Sequence, residues 1–321
     1  MRRIAFLAVV GAMAAAGWAQ AQVAVPELVP GGFRIVDSRF PIAPIGSMVP
    51  ANPGALQWGA PSRISLGALR GHKLDQVDGN SLSYDGSYAG LRWIRPRVAL
   101  AAESLDFAVD FPGVAPAPHV EKRQGSLALS FSWPDSLAWG ISSTSHAYQT
   151  VSPGPVLETL DGESWTAGLS WRLGESFFLG AGFGKDEGQL TGAFVGTVTR
   201  DHNMVGIGLR GGGALVWHLE ADLFHRDDYK DNAGAVQKPG YDLTLVTAEG
   251  IWGNWLLTYS VHDATANAVP DAFKGYVIDF GYAPLTGLTV TWRSEHSKHT
   301  GLGGVEVSAE SADSIAISWG F

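Results

Sequence analysis

The sequence predicts an all-β protein: a transmembrane antiparallel β-barrel of about 14 strands with an N-terminal plug in its lumen. Three observations carry this. Period-two alternation recurs along most of the chain. The connections between alternating segments are short and long by turns. Large aromatic residues gather beside the short connections. Composition agrees, with 41 glycines, 12 tryptophans and no cysteine in 321 residues. Charged residues are 17%, below the roughly 25% of ordinary globular chains, so a disordered chain is excluded. The absence of cysteine excludes a disulfide scaffold, a thiol nucleophile, a cysteine zinc site and an iron–sulfur cluster. The net charge of −9 argues against a nucleic-acid partner.

Residues 1–21 read as a cleaved export signal. Arg2 and Arg3 precede an apolar run from Ile4 to Ala16, too short to span a bilayer. Ala19-Gln20-Ala21 fits a small-x-small cleavage site. Residues 22–61 form the plug. Seven prolines from Pro26 to Pro61 break any ladder or helix. The segment stays apolar, through residues such as Phe33, Ile35, Phe40, Met48, Leu56 and Trp58, whereas a solvated linker is more polar.

Residues 62–321 form the barrel. Candidate strands cover 62–70, 84–95, 97–109, 123–133, 136–147, 163–173 and 176–185. They continue at 201–211, 213–225, 240–252, 254–263, 274–283, 287–295 and 307–321. In 126–133, Leu127, Leu129, Phe131 and Trp133 alternate with serine and alanine. In 215–223, Leu215, Trp217, Leu219 and Leu223 alternate with His218, Glu220 and Asp222. A soluble sandwich would bury the apolar face, and a membrane barrel would turn it to lipid. The alternating connections decide for the barrel, because tight turns at one end and long loops at the other is its layout. Trp93, Trp133, Trp139, Trp171, Phe177, Trp217, Trp252, Trp255, Tyr282, Trp319 and Phe321 then form one girdle at the tight-turn end. Trp319 and the terminal Phe321, in phase with Ile315 and Ile317, read as the signal by which outer-membrane barrel assembly machinery selects its clients.

Just before the first strand stands Asn52-Pro53-Gly54. This resembles the Asn-Pro-Ala element that ends the hatch of the FadL family of long-chain fatty acid and hydrophobic-compound channels. The cleaved signal, the hatch and the 14 strands are similar too. Gly54 departs from the alanine of the pattern, and the long loops are shorter than is usual. The resemblance implies a barrel in the outer membrane of a Gram-negative bacterium, a small hydrophobic ligand, and a lateral exit through the wall.

Parity places Arg92, Arg172 and Arg210 inward near the tight turns, where they read either as a basic zone for a carboxylate or as snorkelling residues paired with plug acids. His218, Glu220, Asp222, Asp279 and Arg293 also face inward. Gly180, Gly182 and Gly184 with Gly206 and Gly208 strip side chains from two neighbouring strands. Either the plug packs there or the wall opens. The sequence holds no Gly-x-Ser-x-Gly elbow and no His-Glu-x-x-His, and no enzyme, cofactor or metal is expected. The expected function is passive uptake of small hydrophobic molecules. A scaffold barrel for secretion or assembly partners and a small-solute porin stay open beside it.

Overall fold

The computed structural model describes residues 49–58, 62–75, 81–110, 119–133, 135–150, 159–191, 195–267, 272–285, 287–301 and 306–321. The signal, most of the plug and parts of the long loops lie outside them. The described strands are β1 (Arg63–Asp75), β2 (Ser81–Arg95), β3 (Val98–Asp110), β4 (His119–Ser132) and β5 (Leu137–Thr150). Next come β6 (Thr159–Leu173), β7 (Phe177–Thr191), β8 (Gly196–Gly211), β9 (Leu215–Arg226), β10 (Tyr229–Asp231) and β11 (Val236–Lys238). The chain ends with β12 (Tyr241–Trp252), β13 (Trp255–Ala266), β14 (Ala272–Leu285), β15 (Leu288–Thr300) and β16 (Glu306–Gly320).

Fourteen of these strands close into an antiparallel barrel. Each of β1 to β8 pairs with the next, β9 pairs with β12, and β12 to β16 continue the ring. The ring closes between β1 and β16, from Arg63↔Gly320 to Asp75↔Ser308. Phe321 N–H then donates to Ser62 O (3.0 Å), one step past the ladder. Closure removes the sheet edges, which is why strands can stand in lipid at all. The short β10–β11 hairpin extends β8 at the long-loop rim.

The outward face carries the apolar residues that alternation assigned to it. Leu127, Ile141, Leu169, Phe183, Leu219, Leu257 and Ile317 are all exposed. Trp133, Trp139, Trp171, Trp252, Trp255 and Trp319 are exposed beside the tight turns. Water would not tolerate such a continuous apolar belt, and hydrocarbon does. Gly174, Gly253 and Gly287 make three of the tight turns at φ of 70°, 57° and 81°, a region that side chains with a Cβ avoid.

The strands are longer than the alternation predicts. β6 starts at Thr159 instead of 163, β7 runs to Thr191 instead of 185, and β8 starts at Gly196 instead of 201. In these three strands the extra residues lie at the long-loop end. There the outward positions are polar, as at Lys185, Glu187 and Gln189 on β7 and Asp201 and Asn203 on β8. Above the lipid belt both faces meet polar surroundings, so the contrast between faces vanishes while the ladder goes on.

Candidate functional site

The inward face is lined by small polar residues, among them Ser126, Ser130, Ser142, Thr166, Ser170, Thr247 and Ser318, all buried. Against it sits the end of the hatch, residues 49–58, closed by a short 3-10 helix at Pro53–Trp58. Asn52 Oδ1 accepts from Gly54 N–H (3.1 Å) and Asn52 O accepts from Ala55 N–H (3.1 Å), so this side chain starts the turn. Pro53 stands at the first helical position, where its fixed φ suits and its missing N–H costs nothing. The same asparagine reaches the wall: Nδ2 donates to Leu169 O at 3.0 Å. Ser130 Oγ donates to Gly54 O (3.3 Å), Trp58 Nε1 donates to Ser170 Oγ (3.0 Å), and Val49 N–H donates to Glu103 Oε2 (3.1 Å). Leu56, fully buried, joins Val49, Tyr88, Ala99, Ala101, Leu105 and Ala128 in one apolar cluster.

Two wall glycines make this seat possible. A Cβ on Gly168 would collide with Asn52 Oδ1 and stand 2.8 Å from Pro53 Cδ. A Cβ on Gly140 would stand 2.6 Å from Pro53 O. Gly54 completes the fit, since a Cβ there would lie 2.8 Å from Gly168 O. The departure from alanine in the Asn-Pro-Gly element therefore has a steric cause.

Three glycines of the ladder predicted to meet the plug or open the wall face side chains of neighbouring strands, and most of the plug lies outside the described residues. A Cβ on Gly182 would meet Met204 Cγ at 3.1 Å, one on Gly184 would meet His202 Nε2 at 2.5 Å, and one on Gly208 would meet His218 Nε2 at 3.1 Å. Side chains from neighbouring strands fill the space. Gly180 pairs with Gly206 in an unbroken β7–β8 ladder, so the wall is continuous there. Among the described residues, Gly140 and Gly168 on β5 and β6 are in close contact with the hatch end.

The predicted inward charges do face inward, in separate settings. Arg92 is buried, directly opposite Arg63, with Tyr88 and Glu103 close by. Arg172 is exposed, its Cζ 5.0 Å from the Trp58 ring. Arg210 stands opposite His218 on β9. His218, Glu220 and Asp222 are buried along β9, with His218 Nε2 3.8 Å from Glu220 Oε2. Asp279 and Arg293 form a buried two-point pair at 2.6 and 2.8 Å.

Sequence reasoning missed a second buried group above the hatch end. Arg200 Nε donates to Asp186 Oδ2 (2.6 Å), and Arg200 Cζ lies 4.0 Å from the Tyr229 ring. His202 Nδ1 is 3.3 Å from Asp186 Oδ1, and its Nε2 is 3.0 Å from Thr166 Oγ1. Arg226 donates to Tyr241 OH at 2.9 Å. Parity would have found Asp186 and Arg200, but the predicted strands stopped at 185 and began at 201. Tyr229 of the rim hairpin covers this group with Leu190 and Val198. Burial raises its hydroxyl pKa to about 12, so it stays a neutral phenol.

Between the two groups lies a cavity of about 50 Å³. Its floor is Val49, Pro50 and Ala51. Its walls are Glu103, Ser126, Ser142, Thr144, Ser164 and Thr166 together with His202, Met204, Phe224 and Arg226. The lining is mixed, with hydroxyls and the ionisable Glu103, His202 and Arg226 beside the apolar Met204 and Phe224. Among the described residues, no group of three His, Asp or Glu side chains is arranged to hold a metal ion.

No family model matches the sequence, and no curated protein matches it. Solved structures do match in shape. The CymD monoaromatic hydrocarbon channel superposes with a TM-score of 0.59 at 14% identity, covering 92% of this chain and 99% of that one. The toluene transporter TbuX of Ralstonia pickettii gives 0.56 at 12% identity, over 84% and 92%. A FadL homologue of Pseudomonas aeruginosa gives 0.55 at 11% identity, over 94% and 100%. The chain thus has the barrel fold of these hydrophobic-compound channels and of the FadL homologue.

Proposed function

We propose that this chain is an outer-membrane channel for passive passage of small hydrophobic molecules, with the hatch end as its gate. The observation that carries the reading is the seat of Asn52-Pro53-Gly54 inside the barrel, beneath a small cavity of mixed lining. The fold shared with hydrocarbon channels supports it. The size of the cavity sets the mechanism. A dry cavity that accepts benzene measures about 150 Å³. The cavity here, at about 50 Å³, is too small for one aromatic ring. Val49, Pro50 and Ala51 must therefore shift before a ring enters. No chemical step is involved. Transport follows the gradient, and selectivity comes from desolvation against Met204 and Phe224.

The test uses the absence of native cysteine. Ala51 packs against the cluster containing Met204 and Phe224. The double variant Ala51→Cys/Met204→Cys ties the hatch end to the wall when oxidised. Toluene uptake by cells carrying the protein in a lipopolysaccharide-covered outer membrane should fall in the oxidised form and return on reduction. Equal entry in both forms would sink the gate.

A further inference from the structure

Two exposed arginines flank one proline in the tight turn between β2 and β3. Arg95 Cζ lies 5.2 Å from the centre of the Trp93 ring, and Arg97 Cζ lies 4.6 Å from that of Trp133. The turn is held firmly. Gln57 Nε2 donates to Arg95 O (2.7 Å), Ser132 Oγ donates to Pro96 O (3.1 Å), and Ser132 N–H donates to Arg97 O (3.2 Å). All three carbonyls of the turn are engaged, two by β4 and one by the hatch end.

The charge setting differs from that of the opposite rim. There exposed cations meet carboxylates: Arg123 with Asp106 (3.6 Å), Lys274 with Asp263 (2.8 Å), Lys298 with Glu306 (2.8 Å). Among the described residues, no carboxylate forms an ion pair with Arg95 or Arg97. In a chain with 31 acidic and 22 basic residues, that is a local excess of positive charge. A guanidinium whose Cζ sits over an indole is held by attraction to the ring and keeps several N–H donors, which can take phosphate in a two-point contact. Trp133 is 66% exposed and belongs to the girdle at the tight-turn end, with Trp139 beside it. Indoles rest at headgroup depth, so the two guanidinium groups stand level with lipid phosphates.

We propose that Arg95, Arg97, Trp93 and Trp133 form a binding site for the phosphate of an anionic phospholipid in the leaflet at the tight-turn side. The lipid's acyl chains lie along the apolar strip of β3 and β4, where Leu100 and Leu127 are exposed. The headgroup phosphate spans the two guanidinium groups. The site is independent of solute passage through the lumen.

The experiment is native mass spectrometry of the full-length protein in mild detergent, titrated with phosphatidylglycerol. The variants are Arg95→Gln/Arg97→Gln, Arg95→Lys/Arg97→Lys and, at the far rim, Arg123→Gln. Each basic residue near an anionic surface is worth roughly a fivefold change in binding. The glutamine pair should therefore weaken lipid retention about 25-fold. The lysine pair should retain part of it, and Arg123→Gln should match the unaltered protein. Unshifted heat-modifiable gel migration shows that the variants are folded. Should the glutamine pair misfold, Trp133→Leu tests the same site, with an expected loss of several-fold from the missing indole. Equal retention in all folded variants would overturn the site. Displacement of the lipid by inorganic phosphate would reduce it to a free-phosphate site and overturn the lipid assignment. So would an acidic periplasmic protein lost from the glutamine pair while lipid retention stays constant.

Discussion

Single residues decide whether the hatch seats. Asn52 serves two directions at once, capping its own turn through Oδ1 and holding the wall through Nδ2. Gly168 is the complementary vacancy. Gly168→Ala should expel the asparagine without disturbing the strand, because alanine is tolerated on a pleated wall. The expected result is a raised single-channel conductance and new protease cleavage near residues 49–58, with heat-modifiable migration unchanged. Asn52→Ala should give the same phenotype, since it removes the same two hydrogen bonds. A variant with normal conductance and an intact hatch would contradict the seat. The buried pair Asp279–Arg293 is a different kind of residue-scale feature. Asp279→Asn leaves a buried guanidinium short of its two-point partner and should cost about 3 kcal/mol. Asp279→Asn/Arg293→Met should recover most of that in urea unfolding from detergent, because the desolvated charge is gone as well.

At the scale of the element, the two faces of one strand obey different solvents. On β4, Leu127 points to lipid at 59% exposure and Ser126 points inward, buried. Leu127→Arg should destabilise by about 2–4 kcal/mol, the penalty for a cation near the bilayer midplane. Ser126→Ala loses only the hydrogen bond from Thr144 Oγ1 (3.1 Å) and should cost about 1 kcal/mol. Unfolding from lipid vesicles measures both. If the two costs came out equal, the assignment of faces would fail. The β10–β11 hairpin obeys water instead. Hydrogen bonds from Ala235, Ala233 and Gln237 hold the carboxyl of Asp231 below the usual carboxylate range. A depressed pKa gives stability that is present above the unfolded value of about 3.9 and is lost as pH falls through the folded value. Amide exchange at Ala233 and Ala235, corrected for intrinsic rates, should stay protected at neutral pH and speed up below about pH 4. Asp231→Asn should expose both amides to exchange at neutral pH.

The whole molecule shows how unevenly a sequence exposes its own design. Every predicted strand exists, and Gly174 and Gly253 stand in the gaps predicted between strands, while Gly287, predicted as the first residue of a strand, belongs to the turn before it. Each outward position reports its own solvent, so Leu, Trp, Ile and Phe recur every second residue wherever hydrocarbon surrounds the wall. The same logic fails at the rim, where both faces are polar. That is how Asp186 and Arg200 fell outside the predicted strands although they form a buried pair. The glycines are ambiguous in sequence for a second reason. Gly168 and Gly182 look alike in sequence, each small, inward and flanked by apolar residues. One receives Asn52 and the other receives Met204. The choice depends on the stagger of the ladders, which sets which inward residues share a level.

What the sequence determined by itself was therefore the barrel class, the strand order, the lipid-facing residues and the inward parity of Arg92, Asp279 and Arg293. These follow from local alternation and from turn residues, which need no knowledge of distant partners. The tertiary structure alone decided where the hatch sits, which glycines admit it, how the charges pair and how small the cavity is. Each of those is a relation between residues far apart in the chain, as between Asn52 and Leu169. Such relations come into being only when the first strand meets the last and the register around the closed ring is set.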